Sequence, residues 1–135
     1  ERGGHPRVIA LQPHVQQLRD LDRLNRRGLV LCDPVLTEAC FHLPHGVQRA
    51  RLARLLVSLG VRAYEGADQV RLRVAIFEWL AKYADHQPDW ADGCLAVVSQ
   101  GERRWKMWTY DREFRRTWRR PDGTPIPLAA AGTYA

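Results

Sequence analysis

The sequence predicts an α/β domain built on a central, mostly parallel sheet. Three observations carry this. Strand-length apolar runs alternate with helical patterns along most of the chain. The clearest run, GLVLC at Gly28–Cys32, passes directly into Asp33-Pro34, as a strand feeding a crossover helix does. The proline-rich stretch RRPDGTPIPL, Arg119–Leu128, comes near the end of the chain, where an edge segment rather than a central strand is expected. At 135 residues the chain suits one domain with a real core, and no repeat or linker divides it, so residues 1–135 are read as a single domain.

In order along the chain, RVIAL (Arg7–Leu11) is either a helix or a short strand. Pro13 separates it from an amphipathic helix over Val15–Gly28 with Val15, Leu18, Leu21 and Leu24 on one face. After the Gly28–Cys32 strand, Asp33 is expected to cap a helix that has Pro34 in its first position and stops near Pro44. RARLARLLVSLG then places Leu52, Leu55, Leu56 and Leu59 on one helical face, with Gly60 as the stop. Val61–Gly66 is a short strand or connector. Asp68 caps the next helix, where Val70, Val74, Phe77 and Ala81 share a face that Ile76, Trp79 and Leu80 broaden. Asp89 caps a helix from about Trp90 to Gln100, ended by Gly101. WKMWTY (Trp105–Tyr110) is a strand by its aromatics and its length. AAAGTYA closes the chain as a frayed tail.

The net charge is +6, which leans toward anionic partners, nucleic acid first, although a basic surface also serves solubility alone. Cys32, Cys40 and Cys94 are widely spaced and odd in number, so no disulfide framework or zinc motif is apparent, and the pattern points to buried thiols in a reducing cytoplasm. No apolar run reaches membrane-span length and no signal peptide is visible. No glycine-rich phosphate loop is present, which argues against a nucleotide-binding fold.

In open α/β sheets ligands bind beyond the carboxyl ends of the strands. Glu38 falls there, in the helix after the first clear strand. Asp111 ends the Trp105–Tyr110 strand, and Asp89 and Asp92 share the first turn of one helix. Carboxylates gathered from separate elements repel unless a cation joins them, and hard oxygen donors suit Mg²⁺ or Mn²⁺. Such an ion can activate water against a phosphodiester. Each acid also has a plainer role. Asp89 serves as an N-cap, Asp92 as its reciprocal partner or a dipole-favoured acid, Asp111 as the start of a turn, and Glu38 as a solvated helix residue. Spacing alone does not choose between these.

The words DPVLTEACFHL, YADHQPDWADGCLAVV and WTYDREFRR, in that order, resemble the PIN-domain family and in particular the VapC-like toxin ribonucleases. The resemblance is clearest over residues 28–128. Glu38, Asp92 and Asp111 match the family's three acidic positions, Asp89 matches its secondary acid, and Thr109 and Phe114 complete the last word. The resemblance implies a three-layer PIN-like fold with strand order 3-2-1-4-5. It implies a pocket for Mg²⁺ or Mn²⁺ held by Glu38, Asp89, Asp92 and Asp111, and hydrolysis of RNA. It also implies a homodimer, a cytoplasmic location and an antitoxin partner bound near the acids. The sequence departs from the pattern at Gly93, where the family usually has Ala, and at its start, where the family has a strand ending in Asp. Two readings of that start stay open. Either the opening strand is absent from a chain that begins at Glu1 rather than Met, or VIALQPH is a degenerate first strand with Gln12 near the acid's place. The rival function is a non-catalytic RNA-binding or interaction module with an incomplete acidic pocket.

Basic residues supply the expected RNA rim. Arg103, Arg104, Arg112, Arg115, Arg116, Arg119 and Arg120 are read as surrounding the Asp111 strand end. Most aromatics are assigned to the core, with Trp118 allowed as an exposed stacking contact. His42 and His45 form no evident metal pair, because Pro44 interrupts the helix and no third ligand accompanies them. Cys40 and His42 are two apart, off a common helical face, which disfavours a thiol nucleophile.

Overall fold

The computed structural model of the protein describes residues 7–9, 28–66, 68–109 and 111–129. Among these the sheet is formed by β1 (Arg7–Ile9), β2 (Leu29–Leu31), β3 (Arg62–Ala63) and β4 (Lys106–Trp108), in the order β3-β2-β1-β4 and parallel throughout. The helices are α1 (Asp33–His42), α2 (Gly46–Ser58), α3 (Gln69–Lys82), α4 (Trp90–Gly101) and the single turn α5 (Glu113–Arg116), with a 3₁₀ turn at Ala84–His86. The mixed α/β class with a parallel sheet is therefore present.

β1 corrects the expectation that no strand precedes Gly28. Arg7–Ile9 is a strand, and it is central: Val8 stands opposite Val30 on one side and Met107 on the other. The strand overlaps the VIALQPH stretch at Val8 and Ile9. Gln12, the helix expected over residues 15–27 and the tail from residue 130 lie outside the described residues. Beyond β4, Leu128 bridges Met107 in parallel, with the Met107 N–H donating to the Pro127 carbonyl at 2.8 Å and the Ala129 N–H to the Met107 carbonyl at 2.7 Å. The proline-rich segment thus occupies the fifth position at the sheet edge, where Pro125 and Pro127 need no ladder donor on their outer side.

Local signals explain most element ends. Asp68 caps α3 by accepting from the Val70 and Arg71 N–H groups, and Gly60 takes the left-handed conformation that stops α2. α1 departs from expectation: its N-cap is Cys32, so Asp33 and Pro34 lie inside the first turn, where Pro needs no partner and an acid favours the dipole.

The buried face of α3 is also corrected. Val70, Val74 and Phe77 are exposed, whereas Ile76 and Trp79 are buried, with Leu72, Leu80 and Tyr83 packed beside them. Both stripes have helical spacing. The one holding Trp79 goes inside because its indole N–H reaches the Arg119 carbonyl at 2.7 Å and its ring meets Tyr83 and Trp118. Trp118 is itself 3% exposed, against Trp79, Tyr83 and His86, so it is a core residue and not a surface stacking platform. Gly93 lets α3 approach α4: a Cβ there would lie 3.0 Å from Ile76 Cγ2 and 3.2 Å from Trp79 Cε3.

Candidate functional site

At the carboxyl ends of the strands, β2 hands the chain to α1, β4 ends in a turn, and α4 begins. A cavity of about 220 Å³ opens there, walled by Glu38, His42, Asp89, Asp92, Thr109 and Asp111 over a floor of Val35, Ala91, Leu95 and Phe114. All four acids singled out in the sequence are thus on one cavity, drawn from three separate elements.

Each acid is placed by local structure. Glu38 follows Val35 by three residues on α1. Val35 is buried, so Glu38 sits at the lip of the core. Asp89 and Asp92 form a reciprocal cap. The Asp92 N–H donates to Asp89 Oδ1 at 2.8 Å and the Asp89 N–H to Asp92 Oδ2 at 3.1 Å. The plainer capping roles of this pair are therefore real, and they coexist with a place on the cavity wall. Thr109 is fully buried at the end of β4. Its hydroxyl accepts from the Asp111 N–H at 3.0 Å, while Asp111 Oδ1 accepts from the Glu113 N–H at 2.9 Å. The Thr-Tyr-Asp-Arg-Glu-Phe word is a strand exit, an Asx turn and an anchored Phe114 in sequence.

The electrostatics follow from this crowding. Burial at the top of the core-facing stripe of α4, together with the Asp89 and Asp111 carboxylates, pushes the Asp92 carboxyl up to about 7, against the relief given by the Asp89 N–H. Glu38 is also raised, first by its hydrogen bond to the Asp89 carboxyl, then by burial and the Asp89 charge, with His42 opposing. Among the described residues, neither Lys nor Arg lines the cavity. The donors are of the hard oxygen kind that suits Mg²⁺ or Mn²⁺. They are not yet a ligand set: among the described residues, no three His, Cys, Asp or Glu side chains are grouped so as to hold a metal ion.

His42 joins this wall although its pairing with His45 pointed nowhere. Helix α1 runs as far as His42, one turn beyond Glu38, and places its Nε2 4.0 Å from Glu38 Oε2 on the cavity wall. The four-residue spacing from Glu38 is the signal in the sequence that could have found it. His45 lies apart, at the start of α2, where its N–H meets Gln48 Oε1 at 3.4 Å.

The arginines divide. Arg112, Arg115 and Arg116 are exposed and belong to the turn and α5 directly after Asp111. Arg103 and Arg104 precede β4, which runs toward the cavity, so they lie at the opposite, amino-terminal end of the strands, contrary to expectation. Arg103 there pairs with Asp122. Arg120 is buried, its Nε on Ser99 Oγ at 3.0 Å and a guanidinium nitrogen on the Arg103 carbonyl at 3.2 Å, which removes it from any surface rim. Arg119 is half-buried and hydrogen-bonds to the carbonyls of Arg115 and Trp118.

No family model, no curated protein and no solved structure matches the chain. No helix among the described residues is long and apolar enough to cross a membrane.

Proposed function

We propose that the protein is a PIN-like, divalent-metal-dependent endoribonuclease, the toxin of a type II toxin–antitoxin pair, acting in the cytoplasm as a homodimer. The observation that carries this reading is the convergence of Glu38, Asp89, Asp92 and Asp111 on one cavity at the carboxyl ends of a parallel sheet. The sheet order β3-β2-β1-β4, with Leu128 as a fifth position, agrees with the order the resemblance implies. A bound Mg²⁺ or Mn²⁺ supplies charge neutralisation at the phosphodiester and an activated water. The chain's own contribution is positional. Asp92 and Glu38, raised by one another's neighbours, are groups that a cation would draw into the charged form, and Thr109 and the Glu113 N–H hold Asp111 at the strand end. Arg112, Arg115 and Arg116 then border the site and bind RNA phosphates, and the antitoxin covers the same groove.

The absence of a ready ligand set among the described residues favours one rival, a non-catalytic RNA-binding or interaction module. RNA cleavage in Mn²⁺ by the native chain and by Asp92→Asn separates them. Cleavage that falls on the order of a hundred-fold or more in the variant is expected. RNA binding without cleavage by either protein gives the rival the field, and equal cleavage by both overturns the assignment of the chemistry to this acidic cavity.

A further inference from the structure

Cys32 and Cys94 are far apart in the chain and adjacent in the fold. Cys32 closes β2 and caps α1, and Cys94 lies in the second turn of α4. They are 1% and 3% exposed, both are free thiols, and they lie close enough that each shifts the other's protonation, Cys32 upward and Cys94 downward. Both also line a second cavity, of about 130 Å³, between β2, α3 and α4, with Asp33, Tyr64, Leu72, Ile76 and Trp90 among its walls.

We propose that Cys32 and Cys94 are a site of reversible disulfide formation whose oxidant is hydrogen peroxide or another hydroperoxide of similar size. Burial disfavours the thiolate that reacts, and a buried sulfur that is oxidised goes no further unless a second thiol is within reach. Here the resolving thiol is already in contact. Size selects the oxidant. With both sulfurs almost fully buried beside a small cavity, peroxide reaches them and a bulky tripeptide disulfide does not.

In the first step one sulfur attacks a peroxide oxygen. The O–O bond breaks, a sulfenic acid forms and one water leaves. In the second, the other thiol attacks the sulfenic sulfur, the S–S bond forms, the S–O bond breaks and a second water leaves. Two thiols and one peroxide thus give one disulfide and two waters, with the two electrons passing from sulfur to oxygen. Because a disulfide is shorter than a thiol hydrogen bond, at about 2.05 Å, closure draws the start of α1 toward α4. Those helices carry Glu38 and Asp92, which both line the acidic cavity. The modification itself does not depend on what that cavity does.

The full chain and a Cys40→Ser variant, which removes the third thiol, are treated in parallel with hydrogen peroxide or with oxidised glutathione. Intact mass and non-reducing peptide maps are read before and after dithiothreitol. Peroxide is expected to remove the mass of two hydrogens and to yield one linked peptide pair holding Cys32 and Cys94, restored by reduction, while oxidised glutathione leaves both cysteines unmodified. Sulfinic acid on either cysteine without a link, a link between two chains, or no change while a free-thiol peptide in the same tube is oxidised would each overturn the proposal. A glutathione adduct at Cys32 or Cys94 would overturn the choice of oxidant.

Discussion

Asp92 is asked to do two things by the same few atoms. Its carboxylate accepts the Asp89 N–H at the start of α4, and it faces two other carboxylates across a partly dry cavity. An acid raised from 3.8 to about 7 binds more protons folded than unfolded between those values. Its contribution to stability is therefore complete below about pH 4 and is lost as pH rises through 7. Native protein should lose stability between pH 5 and pH 8 relative to Asp92→Asn, by about 1–2 kcal/mol after solvent screening, in paired denaturant titrations. Added Mn²⁺ should reduce that loss, since a cation replaces the proton as the neutralising charge. Asp89 is separable in another way. Asp89→Ala removes the cap and should cost about 1 kcal/mol, whereas Asp89→Asn keeps an acceptor for the Asp92 N–H and mainly removes the charge. An NMR titration of Asp92 should then show its carboxyl lower in Asp89→Asn than in the native chain.

The approach of α3 to α4 sets the wall on which Asp89 and Asp92 sit. Gly93 faces Ile76 and Trp79 with no room for a branched side chain. Gly93→Val should destabilise the protein by about 1–3 kcal/mol through overpacking, read as a lower midpoint at unchanged slope in urea. The packing of Trp79 on Trp118 ties α3 to the segment after α5, and Trp118→Ala should cost about 3–5 kcal/mol. Loss of RNA binding without loss of stability in that variant would return Trp118 to the role of a surface platform. The other stripe of α3, Val70, Val74 and Phe77, stays outside because a helix cannot bury opposite faces against one neighbour.

At the scale of the whole molecule, the strands of the sheet run in parallel and β4 ends at the acids, and this sorts the basic residues. On the proposed function, Arg112→Ala with Arg116→Ala should weaken RNA binding and flatten its salt dependence by about 0.7 for each phosphate that is no longer neutralised. Arg103→Ala lies at the far, amino-terminal end of the strands and should leave both nearly unchanged. Fluorescence anisotropy over a salt series measures this, and an equal weakening by Arg103→Ala would mean that RNA does not enter along the acidic face.

Much of the fold is legible from short-range pattern. Caps such as Asp68 and Asp89, the Gly60 stop, the strand-to-helix passage at Cys32–Asp33 and the edge character of the prolines all follow from interactions within a few residues, which sequence states directly. The sequence by itself also marks Glu38, Asp89, Asp92 and Asp111 as residues in positions where strands end. Only the tertiary structure decided the rest. Arg7–Ile9 is a strand because β2 and β4 flank it on either side, and three residues carry too little pattern to announce that. Which stripe of α3 is buried depended on where Trp79 found a carbonyl forty residues away. Arg103 and Arg112 read alike in a basic run and fall at opposite ends of one strand, because a strand separates what the chain places close together. The meeting of four acids and His42 on one cavity is likewise a property of packed elements, since no local interaction brings α1, α4 and the end of β4 together.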